Sequence, residues 1–285
     1  MSDPRAGAGL PPSLAAAARL IVAADDPAEK AARAREAAAA WRAGRLSLAR
    51  PTLDPPCPER PGRPERPLLL APRDMPRRSL PNRGESSEKG RIGLIHALAH
   101  IELNAVDLAW DIVGRFAHIA MPRPFYDDWV RVGLEEAIHF TLLNERLARM
   151  GATYGDLPAH DGLWQAAQET GHDLSARLAI VPLVLEARGL DVTPPMIVRA
   201  RETGDDDTAA ILERIYTDEK GHVAIGTKWF RFMCDRQGLV PEPTFHALVR
   251  RHFRGPLKPP FNDRARSEAG LTPGFYHPLA ALARS

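Results

Sequence analysis

The sequence predicts an all-α fold built around a four-helix bundle. Three observations carry that expectation. Apolar residues recur at helical spacing through most of 88–238, and the alternation of β-branched residues that marks strands is nearly absent. The long periodic stretches are punctuated by Pro122, Gly151, Gly189 and Gly238. Four glutamates, one per predicted helix, fall on faces that are otherwise apolar.

The elements follow in order. Residues 13–44 are Ala-rich and read as two helices. Asp26-Pro27, a cap followed by a first-turn proline, separates them, and Gly44 stops the second. Residues 51–81 carry ten prolines in thirty-one positions, which excludes helix and central strand. Leu68-Leu69-Leu70 within this stretch favours an arm laid on the rest of the protein, because a free linker would expose all three. The first bundle helix is expected over 88–119 and the second over 124–150, ending at Gly151. The third is expected over 162–188 with a kink at Pro182 and a stop at Gly189, and a short helix follows from Pro195. The fourth opens at the acidic cluster Asp205-Asp206-Asp207 and ends at Gly238. The Pro-rich, basic tail reads as a short helix plus ordered coil. The expected organisation is an N-terminal helical segment over 1–50, a Pro-rich arm over 51–86, the bundle over 87–240 and a tail over 241–285, with arm and tail wrapping the bundle.

Composition narrows the function. The 285 residues are enough for a sizeable core in one or two domains. A net charge of +2 supplies no strong field for nucleic acid or acidic membrane. Two cysteines, Cys57 and Cys234, exclude a disulfide scaffold and any four-Cys metal site, and they fit a reducing, cytoplasmic location. Pro182 interrupts the longest apolar run, so no unbroken membrane span is expected. The N-terminus does not read as a signal peptide.

The chemistry lies in the four glutamates. On an α-helix the neighbours of position i are i±3, i±4 and i±7. For Glu102 these are Ile95, Leu98, Ala99, Ala105, Val106 and Ala109, and Glu136, Glu186 and Glu219 have comparably apolar neighbours. A bare buried carboxylate costs several kcal/mol, and four together also repel one another, so a cation is expected among them. Two of the four carry a histidine one turn on, as Glu136-x-x-His139 and Glu219-x-x-His222. Glu102 to Glu136 spans 34 residues and Glu186 to Glu219 spans 33, a near-repeat of one helix pair. Glu plus Glu-x-x-His, taken twice, is the donor set of carboxylate-bridged two-metal bundles, and four carboxylates balance two divalent ions. A third pair, Glu169-x-x-His172, is read as surface: at 1.5 Å per residue His172 stands about 21 Å from Glu186.

An acid precedes each Glu-x-x-His. The expectation is that Asp218 orients His139 and Glu135 orients His222, although Glu135 can equally pair with Arg131 on its own helix. Tyr216, one turn before Glu219, is the candidate catalytic hydrogen bonder or proton source, with a plain core tyrosine as the other reading. Gly133, Gly189 and Gly226 leave room for dioxygen or substrate, or else allow close helix packing. His100, Asn104, Asp107 and Asp111 read as a polar stripe facing the arm or the tail.

The segments EEAIH and DEKGH, with Glu102 and Glu186, resemble the ferritin-like di-iron carboxylate superfamily. LIHALAHIELNAVDLAWD, YDDWVRVGLEEAIHFTLLNERL, VLEARGLDVTP and IYTDEKGHVAIGTKWF closely resemble the uncharacterised bacterial ferritin-like family named domain of unknown function 455, most strongly over 90–240. The resemblance implies a ferritin-like bundle with two iron ions, manganese or a mixed pair being compatible with the same donors. The expected function is a dioxygen-activating oxidoreductase that oxidises or hydroxylates an organic substrate. No G-x-G-x-x-G is present, so electrons would come from a separate ferredoxin or reductase. The alternatives are a ferroxidase or iron-handling protein, a tRNA-modifying hydroxylase using the arginines of arm and tail, or a non-catalytic metal-binding scaffold. A small-molecule or anionic substrate and a monomer or homodimer complete the expectation.

Overall fold

A computed structural model describes residues 10–48, 56–70, 74–75 and 88–280. These residues are predominantly helical and form an all-α bundle. The chain divides into two compact units, Met1–Pro64 with Ala105–Ile138 and Glu65–Asn104 with His139–Ser285. Helices α3 (Glu88–Arg115) and α4 (Arg123–Arg149) contribute to both.

The first unit opens with α1 (Leu14–Ala23), whose Ser13 hydroxyl accepts from Ala16 N at 3.1 Å. In α2 (Pro27–Arg42) Asp26 accepts from Glu29 N at 2.7 Å, Pro27 fills the first turn and Gly44 turns the chain at φ 70°. Small residues let α2 pack closely, with Ala31, Ala34, Ala38 and Trp41 all buried. Lys30 is also buried. Its ammonium donates to Val22 O at 2.9 Å, in the last turn of α1, and to Asp107 on α3 at 2.5 Å. Arg63 from the arm meets the other oxygen of Asp107. Gly62 N donates to the same Val22 carbonyl, and a Cβ at 62 would lie 2.3 Å from Ala23 O, so this close approach requires glycine. Arg115 donates to Pro58 O at 2.7 Å and pairs with Asp111. The described part of the arm is thus extended and hydrogen-bonded, as its prolines demand.

In the second unit Leu69–Leu70 (β1) pairs in parallel with Ala159–His160 (β2). The arm is held here by backbone bonds more than by burial of its leucines, since Leu68 is 65% exposed. Much of 71–87 lies outside the described residues, and α3 starts at Glu88 as expected. His96 and His100 of α3 hold the loop leading into β2. His96 Nε2 accepts from Gly155 N at 3.0 Å, while His100 contacts the Tyr154 hydroxyl at 2.8 Å and His160 O at 3.0 Å.

The third bundle helix departs from expectation. It is broken into α5 (Gly162–Glu169) and α6 (Leu174–Ile180), because Asp173 accepts from Ser175 N and Ala176 N and starts a new helix. Pro182, which has no N–H to donate, sits in a π-helical stretch, Val181–Glu186, in place of a simple kink. Gly189 does not stop the helix. It continues as α7 (Ala187–Glu202) through Pro194 and Pro195. Pro194 cannot donate to Leu190 O, and the Asn262 side-chain amide does so in its place at 3.1 Å.

Helix α8 (Asp206–Gln237) opens under an Asp205 cap and ends at Gly238 in the left-handed region, as the sequence predicts. The tail is more helical than expected, with α9 (Pro241–His252), α10 (Asp263–Glu268), α11 (Pro273–Tyr276) and a 3₁₀ turn, His277–Leu279. One further difference concerns α3. By length and composition it is apolar enough to cross a membrane, with mean hydropathy 1.3 over its best 18-residue window, which a search for unbroken apolar runs missed. That window is 67% buried, and a soluble core helix passes the same test.

Candidate metal centre

The inward faces of α3, α4 and α8 carry the predicted acids. Glu102 is 5% exposed, Glu219 7%, and Glu136, His139 and His222 are wholly buried. One ligand atom from each of Glu102, Glu136, His139 and Glu219 lies within 4.8 Å of the other three. Helical spacing produces this directly, since Glu136 and His139 stand one turn apart on α4. His222 belongs next to the group. Its Nδ1 is 3.4 Å from Glu219 Oε1, and its ring centroid is 5.8 Å from that of His139. Glu186 is not among the four clustered residues. It ends the π-helical stretch half-buried, with both carboxylate oxygens shielded from solvent. One turn later Gly189 would place a Cβ 4.0 Å from Glu219 Oε2.

The two faces of the His139 ring differ. Nε2 is 3.0 Å from Asp218 Oδ2, and Nδ1 is 3.4 Å from Glu102 Oε2. A carboxylate only accepts, so the Asp218 contact places a proton on Nε2 and leaves the Nδ1 edge facing Glu102. Arg214 donates to the same Asp218 oxygen at 2.5 Å. Burial pushes the Asp218 carboxyl up, but the hydrogen bonds from His139 and Arg214 outweigh it and hold the group below its ordinary range.

The other predicted residues fall as follows. Glu135 is half-buried beside Glu136. Tyr216 is half-buried, its hydroxyl accepts from Asn262 Nδ2 at 3.1 Å, and Lys220 lies over its ring. The space opposite two of the three glycines is filled. A Cβ at 133 would lie 2.5 Å from the Trp110 indole nitrogen, and one at 226 would lie 2.4 Å from Pro182 Cβ. Those two glycines serve packing, and only Gly189 faces a site acid. Glu169 and His172 are exposed. Cys57 offers no competing nucleophile, since burial, with Asp111 adding to it, pushes its thiol up to about 12.

One group, Asn262, is not singled out as a site residue by the sequence. Its backbone N–H donates to Asp191, and its side chain donates to Leu190 O and Tyr216 while accepting from Ala265 N. It fastens the tail to α7 and α8. Its only sequence signal is an Asn before a short polar helix, which reads as an ordinary cap.

Residues 23–277 match the family described as "Protein of unknown function (DUF455)". Over 214 residues the chain is 42% identical to an uncharacterised protein of Haemophilus influenzae, with 73% of each chain covered. No solved structure matches the chain significantly. The chain is a member of the DUF455 family.

Proposed function

We propose that this protein is a ferritin-like, non-haem dinuclear iron oxidoreductase acting on an organic substrate with dioxygen. The carrying observation is the convergence of Glu102, Glu136, His139 and Glu219 within 4.8 Å in a solvent-poor interior. Even with His139 doubly protonated, three carboxylates would leave a net charge of about −2 in that space, which one divalent cation offsets. Oxygen and imidazole donors suit iron or manganese better than soft-ligand metals. On this reading His222, which lies against Glu219 and His139, and Glu186 extend the donor set toward a second ion.

In this reading Glu102, Glu136, His139, Glu186, Glu219 and His222 hold the ions. Two ferrous ions bound there would supply electrons and Lewis acidity for dioxygen activation. Asp218 fixes the His139 tautomer so that Nδ1 faces the site, and Arg214 keeps Asp218 ionised. Gly189 puts no side chain over Glu219 Oε2. Tyr216, anchored by Asn262, holds the tail beside the ligand-bearing turn of α8. Electrons are delivered by a separate ferredoxin or reductase.

The test is to load the protein with ferrous iron without oxygen and then admit air. Dioxygen uptake with a new near-ultraviolet band is expected, and both should be lost in Glu136→Ala. A folded, iron-loaded protein that consumes no dioxygen would contradict the oxidoreductase reading.

A further inference from the structure

A cavity of about 370 Å³ lies in the second unit, beside the stretch that leads into Glu186. That volume is within the usual range for small-molecule sites. One wall is Leu183, Val184 and Leu185 of the π-helical stretch, and the facing wall is Phe253, Leu257 and Phe261 of the tail. The charged residues around it are all cations: Arg188, Arg254, Lys258 and Arg266. The acids that answer them are few. Asp191 takes both Arg266, at 2.7 Å, and Arg188, at 3.3 Å. Glu169 reaches only toward Arg254, a fully exposed pair at 3.8 Å. Lys258 is exposed.

The tail wall is built and not merely draped. Arg188 donates to Lys258 O at 2.8 Å and Pro260 O at 3.1 Å, and Asn262 joins Leu190 O to the Tyr216 hydroxyl. Asp191 binds the Asn262 N–H as well as Arg266. The apolar walls are therefore fixed against α7, with the positive charge at the rim.

From this pairing of apolar walls with a cationic rim, we propose that the cavity binds a carboxylate with an elongated apolar body, the carboxylate meeting Arg254 and Lys258. As a statement about substrate this rests on the oxidoreductase reading above; as a statement about binding it does not. A chain lying between Leu183–Leu185 and the tail would lie beside the stretch that leads into Glu186.

The test uses the full chain without metal and follows binding of decanoate by titration calorimetry, with decanol as the neutral comparator. A double variant, Arg254→Glu with Lys258→Glu, alters two exposed side chains. Exposed ion pairs are weak, so the two together account for about tenfold in affinity. Decanoate binding is expected to exceed decanol binding by at least that factor and to fall as much in the double variant, with iron uptake unchanged. Equal binding of decanol, or no change in the variant, would overturn the proposal. Decanoate binding by a protein that takes up no iron would keep the cavity and remove the metal reading. Iron uptake without decanoate binding would do the reverse.

Discussion

At the scale of single residues, the spacing of the acids carried the most information. Helical geometry sets Glu136 beside His139 as i, i+3 neighbours, and packing of α3, α4 and α8 brings Glu102 and Glu219 to them. The Asp218–His139 contact was legible from the acid that precedes the Glu-x-x-His of the facing helix. Replacing Asp218 with Ala should weaken metal affinity by roughly tenfold or more, read by competition with a chelating dye, and an unchanged affinity would remove its orienting role. The glycines were less legible, because a sequence does not say what lies opposite a missing Cβ. Gly226→Ala should cost about 1–3 kcal/mol and lower the melting temperature by several degrees, since its Cβ would meet Pro182 at 2.4 Å. Gly189→Ala should leave melting unchanged or slightly raised, because its nearest neighbour is at 4.0 Å and alanine favours helix.

At the scale of elements, ends were more readable than interiors. Asp26, Asp205 and Gly238 act where their chemistry says they should. The third helix misled because each of its signals had a tertiary answer: Pro182 is taken up by a π-helical stretch, and the carbonyl that Pro194 leaves open is filled by Asn262, 72 positions away. No local pattern foretells that partner. The Asp205 cap supplies a pH prediction. Burial raises its carboxyl, but hydrogen bonds from Thr208 and Arg146 outweigh that and hold it below its ordinary value of 3.8. A depressed acid stabilises the fold above its unfolded value, and that contribution is lost as pH falls through the folded one. Asp205→Ala should therefore cost about 1–2 kcal/mol near neutrality. The gap to wild type should close below about pH 3.8, read by urea unfolding across pH. A gap that persists undiminished at lower pH would assign the effect to packing alone.

At the scale of the whole molecule, buried charge recurs in two places. In the first, Asp107 holds Lys30 and Arg63. Asp107→Asn leaves Lys30 buried and unanswered, and should cost about 3–5 kcal/mol. Replacing both Lys30 and Asp107 with apolar residues of similar size should cost far less. Thermal unfolding of the single and double variants decides this, and equal losses would contradict it. The other buried charge that needs answering is the carboxylate cluster. Metal at about a thousandfold over its dissociation constant should add about 4 kcal/mol, reversed by chelation.

Metal content per folded chain tests the central claim most directly. After anaerobic reconstitution with ferrous iron and removal of the excess, elemental analysis should find about two ions per chain. Glu136→Ala and Glu219→Ala should sharply reduce that number while circular dichroism stays helical. A native-like chain that retains no metal in any variant would contradict the account and leave the buried carboxylates protonated in a scaffold.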